Sequence, residues 1–385
     1  MVQVLEKRSL GEIVVNESID IYEIRDAFEL MLYVPDVRIK QKVVQTLLDY
    51  ILSKSNNPDY KLRVFIAYQD YELQGFVIAQ KDPYYTSYSR KCGTFGWLHA
   101  KNVKVCKKLL KKCEQFLKEN KLRKIRGPIN FPKSLGGIGL QSEGFEQQML
   151  YGVAFSSPEL NIFNFLEDLG YRKESEYTCL YVAQRSWNKG KKIDKDIEFR
   201  YTSLKELYDY ADEIRDLAKN SFYEILADSS GRNRVYEFFE AFSNIPKSFY
   251  NISTDFDPDS YCDIPQFTEA WETCDLKKVE PYAPMAFDKT TNELVGILLG
   301  LPDLFEVWNG SPLTRANVDT AMVKKGYFGK GIFSALNNIG QFTGNLYGID
   351  YFEGTGVWSN NSRAIDTIFP HCEPIRKHYV FQKRI

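Results

Sequence analysis

One succession of hydrophobic patterns runs twice along this chain, and that repetition limits the fold more than any single motif does. In residues 1–187, alternation and helical spacing predict strands over Val2–Lys7 and Glu12–Val15, then helices over Ile19–Leu32 and Lys40–Leu52. A hairpin pairs Arg63–Tyr68 with Gln74–Ala79 and is followed by a strand over Cys92–His99. Next come a helix over Val103–Lys118, a strand over Lys124–Gly127, a helix over Pro158–Leu169 stopped by Gly170, and a strand over Tyr177–Ala183. The polar, lysine-rich stretch 188–196 reads as a linker. Residues 197–385 then repeat the order: strand Phe199–Thr202, helices Leu204–Ala218 and Arg234–Phe242, hairpin Ala283–Phe287 with Leu294–Leu301, and strand Ala316–Val323. A helix over Gly331–Tyr347, a strand over Asp350–Val357, a short helix over Asn361–Phe369 and a strand over Lys377–Lys383 close the second copy. Residues 247–282 form an acidic, aromatic insertion with weak periodicity. The expectation is an α/β (α+β) chain of two domains, 1–187 and 197–385, produced by duplication.

Length supports the division, because 385 residues exceed what one ordinary core organises. A net charge of −1 gives no whole-chain attraction to nucleic acid or to an anionic membrane. Seven cysteines without zinc-like spacing point to reduced thiols in a cytoplasmic setting and to no metal site. There is no basic segment leading into an apolar run at the start, and no stretch of 18 apolar residues, so neither a signal peptide nor a membrane span is expected. Asp255, Asp257 and Asp259 begin like a calcium loop, but Ser260 and Gln266 replace the glycine and the closing glutamate, so that reading is rejected.

The helix Val103–Lys118 places Val103, Cys106, Leu109, Leu110, Cys113, Phe116 and Leu117 on one face and lysines on the other. Its cysteines are expected in the core and its lysines in solvent. The segment that replaces it in the second copy is different. Val323-Lys-Lys-Gly-Tyr-Phe-Gly-Lys-Gly-Ile-Phe333 is a strand end, a glycine-punctuated loop and the first turn of a helix. Such a loop lets the backbone approach a ligand, and the helix directs open N–H groups and a positive dipole end at it. That is a means of binding phosphate.

In this position the loop resembles the acyl-CoA pyrophosphate loop of the GNAT acyltransferases. Gly329 and Gly331 match the family pattern, while Gly326 stands where Gln or Arg is preferred and Phe328 where Arg is common. Asn361 resembles the asparagine that opens the helix after the family's next strand. Leu166–Tyr171 is similar to a family helix-to-strand ending, and Arg126–Phe131 to a segment of tandem GNAT proteins. The resemblance implies two GNAT-like domains, each a mixed, mostly antiparallel twisted sheet flanked by helices, with a degenerate first copy. It also implies an N-acyltransferase, most simply an N-acetyltransferase, that takes acetyl-CoA or another acyl-CoA as cosubstrate and a small-molecule or peptide amine as acceptor. Strands 316–323 and 350–357 are expected to splay around the pantetheine arm near Met322 and Val323. The pyrophosphate would lie on Phe328, Gly329, Lys330, Gly331 and Ile332, with Asn361 nearby.

Asp319 and Glu353, carboxylates inside otherwise apolar strands, are the candidate bases, since a buried charge is costly unless paired or functional. The segment Asn361–Phe369 lacks the tyrosine that many members use as acid, which leaves Tyr379 and His371 as substitutes. Two rival readings share the fold: a non-catalytic acyl-CoA-binding or interaction scaffold, and transfer from aminoacyl-tRNA, for which the lysine face of 103–118 is the support. The net charge weighs against a nucleic-acid partner.

Overall fold

The structure, a computed structural model, describes residues 11–34, 37–145, 161–182, 192–202, 204–221, 227–228, 283–346, 348–362, 365–366 and 371–385. The strand expected at Val2–Lys7, the helix at Arg234–Phe242 and the insertion 247–282 lie outside them. The chain divides into two compact units. The first comprises Met1–Gln148, Gly152–Tyr177 and Arg376–Ile385, and the second Met149–Tyr151 and Thr178–Ile375. In this division Arg376–Ile385 group with the first unit.

The first unit runs through β1 (Ile13–Ser18), α1 (Ile21–Met31), α2 (Val37–Ser55), β2 (Lys61–Gln69) and β3 (Glu72–Lys81). A small ribbon of β4 (Thr86–Ser87) and β5 (Arg90–Lys91) leads to β6 (Gly93–Ala100), α3 (Val103–Glu119) and β7 (Lys124–Gly127). The short α4 (Lys133–Gly136), β8 (Leu140–Glu143), α5 (Ile162–Asp168) and the start of β9 (Arg172–Val182) follow. β1, β2, β3 and β6 form an antiparallel set, and β7 adds parallel to β6 through Gly93↔Ile125 and Thr94↔Arg126. The C-terminal strand β15 (Cys372–Arg384) then pairs antiparallel with β7, from Phe381↔Gly127 to Arg384↔Lys124. Asn102 caps α3 by accepting from the Val105 N–H at 3.0 Å. The helix buries Val105, Cys106, Leu109, Leu110, Cys113, Phe116 and Leu117 against Phe65, Val77, Ala79 and Phe95. Each such side chain contributes about 1.5–3 kcal/mol. Val103, expected on this face, is only half-buried, and Val105 fills the place. Burial pushes the Cys106 thiol up to about 12, as suits an inert core cysteine.

The second unit repeats the plan with β10 (Ile197–Thr202), α6 (Leu204–Asp209), α7 (Ala211–Ser221), β11 (Ala283–Asp288) and β12 (Leu294–Pro302). It continues through α8 (Leu304–Asn309), β13 (Arg315–Val323), α9 (Ile332–Leu346) and β14 (Tyr351–Trp358). β10 to β13 are successively antiparallel, and β14 adds parallel to β13. Alternation sends residues to two faces of this sheet. Ile214, Leu217 and Ala218 of α7 pack with Met285, Ile297, Leu299 and Met322, whereas Ile332, Ala335, Leu336 and Ile339 of α9 pack with Ala286, Val295 and Leu298. Four antiparallel strands with a fifth added in parallel thus occur in both units.

Candidate functional site

In the second unit, among the described residues, the parallel pair β13/β14 is in register through Arg315↔Tyr351, Ala316↔Phe352 and Asn317↔Glu353. Beyond Asn317 the join passes to a side chain: the Thr355 backbone N–H donates to Asn317 Oδ1 at 2.9 Å. On its other edge β13 stays paired with β12 as far as Val323↔Gly296. Between Leu299↔Thr320 and Gly300↔Val318 the register slips, so Asp319 is the extra residue of a bulge. The two-residue count that links Asp319 with Val323 on one face runs into this bulge. Met322 is buried in the core on the α7 side, while Val323 and Ala321 pack toward α9.

Glu353 is fully buried where the strands part. Thr355 Oγ1 donates to its Oε1 at 2.7 Å and the Tyr351 hydroxyl to its Oε2 at 3.2 Å. Residues 351, 353 and 355 share a face of β14 by the strand period, so one strand supplies the carboxylate and both donors. The Tyr351 ring stacks on Tyr181 at 4.8 Å, with the Arg315 guanidinium 4.7 Å from its centroid. Arg315 is paired in turn with Asp303 at 3.2 Å. Burial pushes the Asp303 carboxyl up to about 7, against the opposing pull of Arg315.

At the far end of β13 the chain turns through the glycine loop. The Lys324 N–H donates to the Val295 carbonyl at 2.8 Å and the Tyr327 N–H to the Lys324 carbonyl at 3.0 Å. Gly326, Gly329 and Gly331 have φ of +97°, +83° and +81°, a region that disfavours every side chain. A Cβ at Gly326 or Gly329 would meet nothing within 4 Å, so the loop is open on that side. At Gly331 it would fall 2.7 Å from the Lys192 carbonyl oxygen. Helix α9 begins there, with the Ala335 N–H donating to the Gly331 carbonyl, and its first-turn amides have no partner within the helix. Ile332 is buried; Phe328 is 37% exposed.

Acidic groups hold the side chains of this loop. Lys330 Nζ lies 3.0 Å from Asp194 Oδ2, Lys324 is paired with Glu293, and the Tyr327 hydroxyl donates to Asp288 Oδ2 at 2.9 Å. The Asp194 carboxyl is held below its usual range by the Asp196 N–H and by Lys330. Asn361 is half-buried beyond β14, where its N–H donates to the Trp358 carbonyl and its carbonyl accepts from the Ile365 N–H.

Tyr379 is on β15. It belongs to the first unit, opposite Leu140, and its hydroxyl donates to Glu176 Oε2 at 2.7 Å. Burial, then Glu176, raises its pKa, so it is a poor proton donor as placed. His371 is an exposed turn residue before β15. The second unit brings together Asp319, Glu353, Met322, Val323 and the loop on β13, β14 and α9. Asn317, Tyr351, Thr355 and Asp194 escaped the sequence reading. A buried Asn within Ala316-Asn317-Val318 carried the same signal as Asp319, a polar group inside an apolar strand.

The corresponding gap in the first unit is filled by its own chain. Past Thr94↔Arg126, the Ile129 N–H donates to the Phe95 carbonyl at 2.8 Å and the Trp97 N–H to Asn130 Oδ1 at 2.6 Å. Trp97, at φ +52°, occupies a bulge like that at Asp319, and its indole N–H donates to the Phe131 carbonyl. A Cβ on Gly96 would lie 2.1 Å from the Ile129 carbonyl oxygen. No space remains beside β6 for a ligand arm.

No family model matches the chain, and no curated protein matches it. Solved structures do. A tandem GNAT protein from the clavulanic acid biosynthesis pathway, solved without AcCoA, aligns over 97% of this chain and 98% of its own at 9% identity and TM-score 0.52. A GCN5-related glucosamine N-acetyltransferase region of a fungal multi-domain GH3 β-N-acetylglucosaminidase aligns over 97% of this chain and 38% of its own, at 11% identity and TM-score 0.53. A conserved protein of unknown function from Enterococcus faecalis V583, described as a probable N-acyltransferase, covers 97% and 73% at 10% identity and TM-score 0.52. At such identities the likeness is one of fold. The chain has a tandem GNAT fold.

Proposed function

We propose that this protein is an acyl-CoA-dependent N-acyltransferase whose donor site is the opening between β13 and β14 in the second unit. The observation that carries the reading is the end of β13/β14 pairing at Asn317↔Glu353, with the glycine loop and the α9 N-terminus at the other end of β13. Backbone groups on the β14-facing edge of β13 beyond Asn317 can pair with the amides of a pantetheine arm, and one N–H beside the bulge can polarise the thioester carbonyl. The amides of Phe328–Ile332 suit a pyrophosphate. Glu353 would take the proton of the attacking amine, with Asp319 as the alternative base. In the first unit, the residues 128–131 that fill the equivalent gap support a supporting role for that copy.

The test is calorimetric titration with acetyl-CoA and longer acyl-CoAs, followed by turnover with a panel of primary amines. Binding that Gly329→Asp weakens, and turnover that Glu353→Gln lowers by about 10²–10⁴-fold without loss of binding, are expected. Absence of binding to all donors would refute the reading. One observation favours a second reading, a non-catalytic acyl-CoA binder: both oxygens of the buried Glu353 are already taken by hydroxyl donors. Binding without turnover across the panel would select it.

A further inference from the structure

We infer that Asn317 is a positioning residue whose side chain holds β13 and β14 apart and so creates the donor cleft. This inference rests on the reading of that cleft as the acyl-CoA site. In a regular parallel pair, a backbone carbonyl of one strand accepts the N–H of the next. Here the acceptor for Thr355 is the Asn317 carboxamide, 2% exposed, at 2.9 Å. The reach of the side chain lets β14 stand away from the β13 backbone while leaving the Thr355 N–H satisfied. An apolar residue at 317 offers only two outcomes. Either the half-buried Thr355 N–H loses its protein acceptor, or β14 moves inward to a β13 carbonyl and closes the gap.

The position is also where the chemistry is assembled. Asn317 is the register partner of Glu353, and Thr355 donates its hydroxyl to Glu353 while donating its backbone N–H to Asn317. Thr355 is thus held from both sides, so the wedge also sets where the carboxylate lies. A carboxamide bond of the same kind occurs in the first unit, where the gap is filled by the chain itself. In the first unit, Asn130 accepts from the Trp97 N–H at 2.6 Å where β6 and β7 part. There too an asparagine carboxamide stands in for a strand carbonyl at the fork of a parallel pair.

The test compares wild type, Asn317→Leu and Asn317→Asp by acetyl-CoA titration and by amide hydrogen exchange at Thr355. Leu matches the volume without an acceptor, and Asp restores the acceptor. Acetyl-CoA affinity is expected to fall at least about tenfold in Asn317→Leu and to recover in large part in Asn317→Asp, because Asp keeps the acceptor that Leu lacks, although it adds a carboxylate beside Glu353. Thr355 exchange should be slow in wild type and in the Asp variant. Wild-type binding in the Leu variant, or equal loss in both variants with unchanged melting, would overturn the inference. If Asn317→Leu does not fold, a fast-exchanging Thr355 amide in wild type overturns it and a slow one that stays slow in Asn317→Asp supports it. If wild type binds no acyl-CoA, the proposed function fails, and Thr355 exchange alone decides the role of Asn317.

Discussion

Asp194 closes on Lys330 twice. Its carboxylate lies 3.0 Å from the Lys330 ammonium, and its backbone N–H donates to the Lys330 carbonyl at 3.1 Å. The segment before β10 therefore runs beneath the loop and places a negative charge where the proposed function calls for a phosphate. Removing that charge while keeping the backbone bond should release Lys330 for the ligand. Asn replacing Asp194 is expected to tighten acetyl-CoA binding by about two- to fivefold, the scale of a partly exposed ion pair, and the gain should shrink as salt is raised. Calorimetry at low and high ionic strength measures both.

The glycines of the loop separate two causes of intolerance. Gly329→Ala meets open space and carries only the cost of a positive φ, about 1–2 kcal/mol. Gly331→Ala adds a contact of 2.7 Å with the Lys192 carbonyl, a backbone atom that cannot swing away. It should destabilise the second unit by at least about 1 kcal/mol more than Gly329→Ala, as read by chemical denaturation.

Much of this framework was legible in the sequence, and the reason is local. The hairpin β2/β3, the strand β7 at Lys124–Gly127 and the lysine-backed helix α3 follow from alternation, helical spacing and caps, all of which lie within a few residues of one another. The glycine loop was legible because three positive-φ positions need glycine. Short elements were not: α8, six residues capped by Asp303, and β8, four residues in a glycine-rich stretch, offer too few positions to display a period. The helix expected over Pro158–Leu169 is assigned at Ile162–Asp168, and 146–160 lie outside the described residues. The bulge at Asp319 was invisible because a bulge is a property of two strands. The same holds for Asp194 with Lys330, and for the pairing of β15 with β7, where partners lie more than a hundred residues apart.

The filled gap of the first unit predicts a variant that affects stability and not binding. Asn130→Ala leaves the Trp97 N–H without its acceptor in a buried setting, at a cost of about 1–3 kcal/mol. Denaturation of the first unit should show that loss. Acetyl-CoA affinity should change by less than about twofold, as for independent sites.

Two buried histidines make the first unit sensitive to acid. Burial lowers the pKa of His99 to about 4 and that of His378 to about 3. His99 stacks on Phe76 at 4.8 Å, and its Nε2 has no hydrogen-bond partner. Because the folded pKa values lie below the unfolded value near 6.5, the unfolded chain takes up protons first as pH falls. Stability is therefore full above about pH 6.5 and declines toward the folded pKa, each histidine costing about 2 kcal/mol by pH 5. Urea unfolding between pH 7 and 5 measures the slope, and His99→Phe should flatten it.

The central claim is that one acyl-CoA site exists, in the second unit, between strands forced apart at Asn317. Hydrogen-exchange mass spectrometry with and without saturating acetyl-CoA tests it most directly. New protection is expected over residues 318–334 and 354–358 and none over 95–102 or 128–139. Protection confined to the first unit, or none in either, would contradict it.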